Sequence, residues 1–387
     1  MREDQLRLNI FGGYPFLERF LPLADPRAPF IAGALSVAIF LLCALIDRTL
    51  TQGHLPEVLC QDIRTYLRAS NDCHHYRLSS QMSATRDLPS LVLLFALPMT
   101  VPLAVRQWKN ITCFLSAMHG RRILIVKDQQ QVLDEVASCN RFFEKWATWN
   151  PAIALFTLLT VLLVVRAQTA GSVYSSLRTS RLGNGIDPHQ WWLTLTGISL
   201  AGMLYFCLGC VVVYIIFIQT IHGSRVVLLL WRTRSTLGCG MDTENSDKYY
   251  GWSEVRGILL ATWSLIIIHA ISLAMVGLSL PSGQVVAIIL APLLFQWLLV
   301  SPIYLLVPYG ITRRNVSEWK RTERRRLRDA ISQETSDATR RSLEQELVDL
   351  RRMKVNPYSG VTQRLLYYIG TIGSIVFVLG TIRVLYG

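Results

Sequence analysis

Seven long apolar runs, whose cores hold no Asp, Glu, Lys or Arg, constrain this chain more than any other feature. They fall at roughly 29–46, 89–105, 150–165, 191–221, 257–280, 285–309 and 365–386. A helix that crosses the hydrocarbon core of a bilayer takes about 20 mostly apolar residues. The expected fold class is therefore all-α, a polytopic membrane protein with about seven transmembrane helices. The second and third runs are short, and the fourth is long enough to tilt or to continue beyond the membrane through Val226–Trp231.

Composition agrees. Of 387 residues, 51% are hydrophobic and only 17% are charged, against about 25% charged in a soluble protein. The eight cysteines are scattered. Cys207 and Cys210 are spaced as a CxxC pair but lie inside an apolar run, where packing is the expected role. No cleavable signal peptide is visible: the first strong apolar run starts near residue 29 and no Ala-x-Ala site follows it, so it is expected to stay as the first helix.

Basic residues set the orientation. The N-terminus and the loops after runs two, four and six carry 4, 7, 5 and 14 Lys or Arg, which is 30 of the 39. The other loops and the C-terminal end of the last run, at Arg383, carry the remaining 9. This places the N-terminus inside and the C-terminus outside a bacterial inner (plasma) membrane. It also accounts for the net charge of +13 without nucleic acid, which is not an expected partner.

Four regions follow. Residues 1–28 form an N-terminal segment in which Phe11, Tyr14, Phe16, Leu17, Phe20 and Leu21 suit the membrane interface. Residues 29–309 hold six spans with amphipathic loop helices. In the outside loop 47–88, Leu55, Val58, Leu59, Ile63, Tyr66 and Leu67 fit one helical face. In the inside loop 106–149, Val132, Leu133, Val136, Phe143 and Trp146 predict a surface helix that turns into the third span near Pro151.

Residues 310–363 predict a basic cytosolic helical hairpin. Val316, Trp319, Leu327, Ala330 and Ile331 stripe one arm, Leu343, Leu347 and Leu350 the other, with Ser336 or Asp337 as N-cap between them. Asn356-Pro357 ends the second arm. Its surface is rich in arginine: Arg324, Arg325, Arg326 and Arg328 are candidates for docking a soluble cytosolic partner or ligand. Asp247, Tyr249, Tyr250 and Trp252, in the polar and aromatic loop 244–252, are candidates of the same kind. Residues 364–387 hold the last span and the outside C-terminus.

The spans are poor in functional polar groups. Ionisable residues inside a membrane mark ion and proton pathways, and no carboxylate is available at mid-depth to couple transport to protons. His269, Gln296 and Gln219 are the strong polar groups within the runs and should face protein or water rather than lipid. Gly197-Ile198-Ser199-Leu200 invites comparison with the serine motif of rhomboid proteases, but Leu200 stands where that motif has glycine. No second motif supports an enzyme built on His269. Outside, His54, Cys60, Asp72, Cys73, His74 and His75 include metal-donor types, and Cys60 and Cys73 could pair. Ordinary surface side chains are the favoured reading, and no metal or cofactor is expected. Pro98, Pro102, Pro292 and Pro302 predict kinks. In the last span Gly370, Gly373, Ser374, Phe377 and Thr381 suit either close helix packing or the wall of a pore.

In Asp247–Gly251 and Asn356-Pro357-Tyr358 the chain resembles uncharacterised bacterial multi-pass membrane proteins, which have a polar turn before one span and a charged helical segment ending in a proline turn before the last. That resemblance implies no activity. In topology alone the chain is similar to insect olfactory and gustatory receptor channels. Their Thr-Tyr…Gln-Phe signature is absent around Tyr367–Thr381, so no residue roles carry over. The functional expectation is an oligomeric channel or pore, in contact with membrane lipids and gated or docked through the basic hairpin. A membrane-anchored scaffold or signalling subunit, or a transporter or enzyme of lipid or apolar substrates, is the alternative.

Overall fold

A computed structural model describes residues 3–11, 19, 21–46, 88–171, 200–242, 250–279 and 301–352. Its helices are α1 (Ala28–Ile46), α2 (Leu88–Gly120), α3 (Gln129–Ala147), α4 (Asn150–Gly171), α5 (Leu200–Arg232), α6 (Ser253–Ser279), α7 (Ser301–Gln333) and α8 (Asp337–Arg352). Two three-residue strands, β1 (Leu124–Val126) and β2 (Leu237–Cys239), pair antiparallel. This small sheet departs from the all-α expectation.

Among the described residues four helices, α1, α2, α5 and α6, are long and apolar enough to cross a membrane. A fifth span arises if α3 and α4 count as one, bent by 61° at their junction. The bend falls at Thr148–Trp149, just before Pro151, where the sequence places the turn from surface helix to span. Most of the run 285–309, all of 365–386, residues 47–87 of the loop 47–88 and residues 353–364 lie outside the described residues.

The helices run past the ends assigned from apolar runs. α2 continues fifteen residues beyond residue 105 to Gly120, and Pro98 and Pro102 leave it unbroken. The extension is amphipathic: Trp108, Ile111, Leu115 and Met118, three or four residues apart, are all buried. α7 likewise runs without a break through residue 310, where the sequence places the boundary between membrane region and hairpin.

α2 is the hub and packs against α1, α5 and α6. Where it meets α1 the backbones come close. A Cβ on Gly33 would lie 2.7 Å from the Phe95 carbonyl oxygen, so only glycine fits that contact. The helices alternate in direction, and two apolar clusters mark the ends of the bundle. One joins Phe40, Ala44, Leu93, Leu94, Val161, Val165, Ala201 and Tyr205. The other, on the face that carries the N-terminal segment, joins Leu6, Leu8, Trp108, Phe143, Val226, Leu259 and Val316 with their neighbours.

The stripes expected on α7 and α8 are their less exposed sides: Val316, Leu327 and Leu350 are buried, and Trp319, Ala330, Ile331, Leu343 and Leu347 half-buried. The two helices touch each other, and α8 starts at Asp337 directly after Ser336.

Candidate functional site

The N-terminal face is where side-chain chemistry gathers. Its frame is built by three clasps. The chain entering at Leu6–Phe11 is stitched to α3 by Asn140, whose Oδ1 accepts from the Asn9 backbone N–H at 2.8 Å and whose Nδ2 donates to the Arg7 carbonyl at 3.2 Å. Phe11 meets Trp108 edge-on at 6.3 Å. Of the interfacial set expected from sequence, Phe11 is buried, while Tyr14, Phe16, Leu17 and Phe20 lie outside the described residues.

The second clasp holds α3 to α5. Asp128 caps α3, its side chain accepting from the Gln131 N–H at 3.0 Å. From α3, Glu135 reaches two arginines of α5: Arg232 at 3.5 Å and Arg225 at 4.0 Å. Arg225 is only 8% exposed. Its Nη2 donates to Ser138 Oγ at 2.7 Å and its guanidinium lies 5.6 Å from the Phe142 ring centre.

The third clasp closes α2 against α6. Arg121, just past the end of α2, donates twice to Glu254, at 2.6 and 2.9 Å, and to Ser253 Oγ at 3.0 Å. A forked pair of this kind is strong and directional. It also sets a carboxylate at the positive N-terminal end of α6 and a cation at the negative end of α2. The connection into α6 turns at Gly251, with φ of +87°, where a Cβ would strike the Ile123 side chain at 2.7 Å.

Within this frame α2, α5, α6 and α7 enclose a cleft, roofed by β1 and β2, with about 900 Å³ of free space including its open mouth. A polar ladder crosses its floor. Gln219 Nε2 donates to Gln107 Oε1 at 3.0 Å, and Gln107 Nε2 donates to Thr262 Oγ1 at 2.6 Å. The Thr262 hydroxyl donates to the Ile258 carbonyl at 2.8 Å. At the roof Asn315 of α7 approaches the Leu237 carbonyl at 3.5 Å, and Trp252 Nε1 donates to the Gly240 carbonyl at 3.2 Å. Burial pushes the nearby Cys239 thiol up to about 12, against a smaller downward pull from Asn315.

The sequence candidates distribute unevenly around this site. Gln219 lines the cleft and anchors the ladder. Trp252 lines it too, at 4% exposure, and Tyr250 is half-buried beside the turn with φ of +55°. His269 is half-buried two turns further along α6 than Thr262, and its Nε2 has no hydrogen-bond partner among the described residues. Arg325, Arg326 and Arg328 are exposed on α7, with Arg326 paired to Glu323 at 2.5 Å. Arg324 is half-buried next to Lys320, whose ammonium is held below its usual range by burial and then by Arg324. Gln296, Asp247, Tyr249 and the last-span set Gly370, Gly373, Ser374, Phe377 and Thr381 lie outside the described residues.

Gln107 and Thr262 are functional-site residues that sequence reasoning missed. Gln107 sits two residues past the apolar run ending at 105, and so was counted with a loop. No family model, no curated protein and no solved structure matches the chain.

Proposed function

We propose that the chain is a channel or pore of a bacterial plasma membrane, assembled as a homo-oligomer and docked or gated from the cytosol. The observation that carries this reading is the continuity of α7. One unbroken helix of 33 residues, about 50 Å at 1.5 Å per residue, leads from the apolar stretch around Ile303 and Leu306 to the exposed arginines. On the way Asn315, Val316 and Trp319 wedge against β2 and the N-terminal-face cluster. A partner pulling on the arginines would move a helix that also enters the membrane, with Pro308 between the two ends as a place where it can bend.

The finer topology belongs to the same proposal. It has seven spans, the N-terminus inside and the C-terminus outside, α7 and α8 as the two arms of a cytosolic hairpin, and the last span lining the pore. The excess of basic residues on the N-terminal side supports the orientation. Reconstitution into planar bilayers, with the subunit number counted by light scattering in detergent, tests it. The expected result is a symmetric oligomer whose conductance changes when residues 334–352 are replaced by a short linker. A monomer without conductance overturns the reading. The exposure of Arg325, Arg326 and Arg328 favours one second reading, a membrane-anchored scaffold. It predicts a soluble partner that co-purifies with the protein and is lost when Arg325, Arg326 and Arg328 are replaced by alanine.

A further inference from the structure

We propose that the cleft between α2, α5, α6 and α7 is a binding site for a small uncharged molecule with an apolar body and one N–H or O–H donor, which meets Gln219 Oε1. The site stands whether or not the spans conduct.

The ladder itself argues for a donor. All its hydrogen bonds run one way, from Gln219 to Gln107 to Thr262 to the Ile258 carbonyl. The open end is therefore an acceptor, Gln219 Oε1. That atom is buried and has no partner among the described residues, and Gln219 is 8% exposed. A buried acceptor left unmade is costly. Hydrogen bonds aligned in a chain polarise one another, which strengthens the acceptor at the open end. Gln219 is among the residues that line the cleft, and a molecule that pairs with Oε1 does so by displacing the side chains packed over it.

The walls decide the rest of the molecule. Phe114, Met118, Leu259 and Trp252 are buried and line the interior. No carboxylate lines the cleft among the described residues, so a cation would enter without a counter-charge. The one charged lining residue is Arg234, which is exposed. Its guanidinium lies 4.0 Å from the Trp231 ring centre and donates to the Trp231 carbonyl at 2.9 Å. An anionic group would meet it only at the rim. The interior suits a small, uncharged, mostly apolar body.

Three probes of equal skeleton test the proposal on the full-length protein in nanodiscs: 1-naphthol (donor and acceptor), 1-methoxynaphthalene (acceptor only) and naphthalene. Binding is measured by equilibrium dialysis against empty nanodiscs. The expected result is saturable uptake, with naphthol held about tenfold more tightly than the other two, as one added hydrogen bond to a buried group implies. Gln219→Met should erase that preference while leaving naphthalene binding in place. Leu259→Trp, which fills the interior, should abolish saturable binding of all three. Uptake that only follows partition into the lipid overturns the proposal. So does equal affinity of naphthalene and naphthol, which would identify the occupant as a lipid chain, or of methoxynaphthalene and naphthol. A naphthol preference that survives Gln219→Met overturns it as well. If Gln219→Met fails to fold, the three-probe series on the unaltered protein still decides.

Discussion

The two ends of the bundle are built from different forces. At the N-terminal face, the extension of α2 beyond its apolar run and the amphipathic helix α3 bury large side chains such as Trp108 and Phe143. Charged and amide clasps, Arg121–Glu254, Glu135–Arg225 and Asn140 with the N-terminal chain, fix how they meet. At the opposite end Phe40, Leu93, Leu94 and Tyr205 pack with no ion pair among the described residues. The outer faces there, at Leu42, Leu45, Leu159, Leu163 and Met203, remain exposed and apolar, as lipid-facing surface should be. In lipid the hydrophobic effect does not press helices together, so that end depends on close fit. On the proposed placement of the N-terminal face in water, burial from solvent drives association there and polar groups specify it.

The largest expected effect separates these regimes directly. Trp108→Ala removes a buried aromatic from the cluster at the N-terminal face and should cost about 3–5 kcal/mol. Phe40→Ala, as fully buried at the lipid end, should cost less than half as much, because its cavity opens among groups no less apolar than the lipid. Unfolding of both variants in mixed micelles by denaturant measures the ratio. Equal losses would show that the two ends are held by the same force.

Next comes the α3–α5 clasp. Removing Glu135 leaves Arg225 buried beside an apolar ring. Stranding one member of a fully buried pair costs about 3–5 kcal/mol. Arg225 keeps its bond to Ser138, so Glu135→Ala should cost about 2 kcal/mol. Adding Arg225→Met, which replaces the stranded charge with an apolar chain of similar length, should recover most of that loss. A double variant less stable than Glu135→Ala would show that Arg225 is held by something other than its charge. Smaller again, Asn140→Ala removes two partly exposed hydrogen bonds and should cost about 1–2 kcal/mol. The loss should be local, read as faster amide exchange at Arg7–Ile10 with α5 unchanged.

The lipid end was the more legible in sequence. Long apolar runs announce α1, α5 and α6 because nothing else accommodates so many apolar residues without charge. Periodicity carried part of the other end: Val132, Val136 and Phe143 on α3, and Val316, Leu327 and Leu350 on α7 and α8, are buried as their spacing predicts. What escaped was whatever is short or long-range. Leu124-Ile125-Val126 and Leu237-Gly238-Cys239 are too brief to show a strand pattern, and each becomes a strand only by meeting the other across the fold. The Leu6-Arg7-Leu8-Asn9-Ile10 alternation was a missed signal: Leu6, Leu8 and Ile10 are buried. The spacing of Trp108, Ile111, Leu115 and Met118 carries α2 past residue 105. The cleft could be half-read, since Gln219 stood out as a polar group needing a partner, but Gln107, just past its run, looks like a loop residue and Thr262 like any small residue of a span until three helices bring them together.

The smallest effect tests the roof of the cleft. Cys239 is an acid whose thiol is raised from 9.0 to about 12, chiefly by burial, so the folded protein favours the neutral form. Below pH 9 the thiol is neutral in both folded and unfolded chains, and its burial makes no pH-dependent difference. Between pH 9 and about 12 the unfolded chain ionises while the folded one does not, so stability falls as pH rises. By pH 10 the loss from this one group should be about 1 kcal/mol. Other groups titrate in the same range, so the informative quantity is a difference: the drop in stability from pH 8 to pH 10 in the unaltered protein minus that in Cys239→Ala. The drop should be smaller in the variant. If it is the same in both, the thiol is in contact with water and β1, β2 and Asn315 do not seal the cleft on that side.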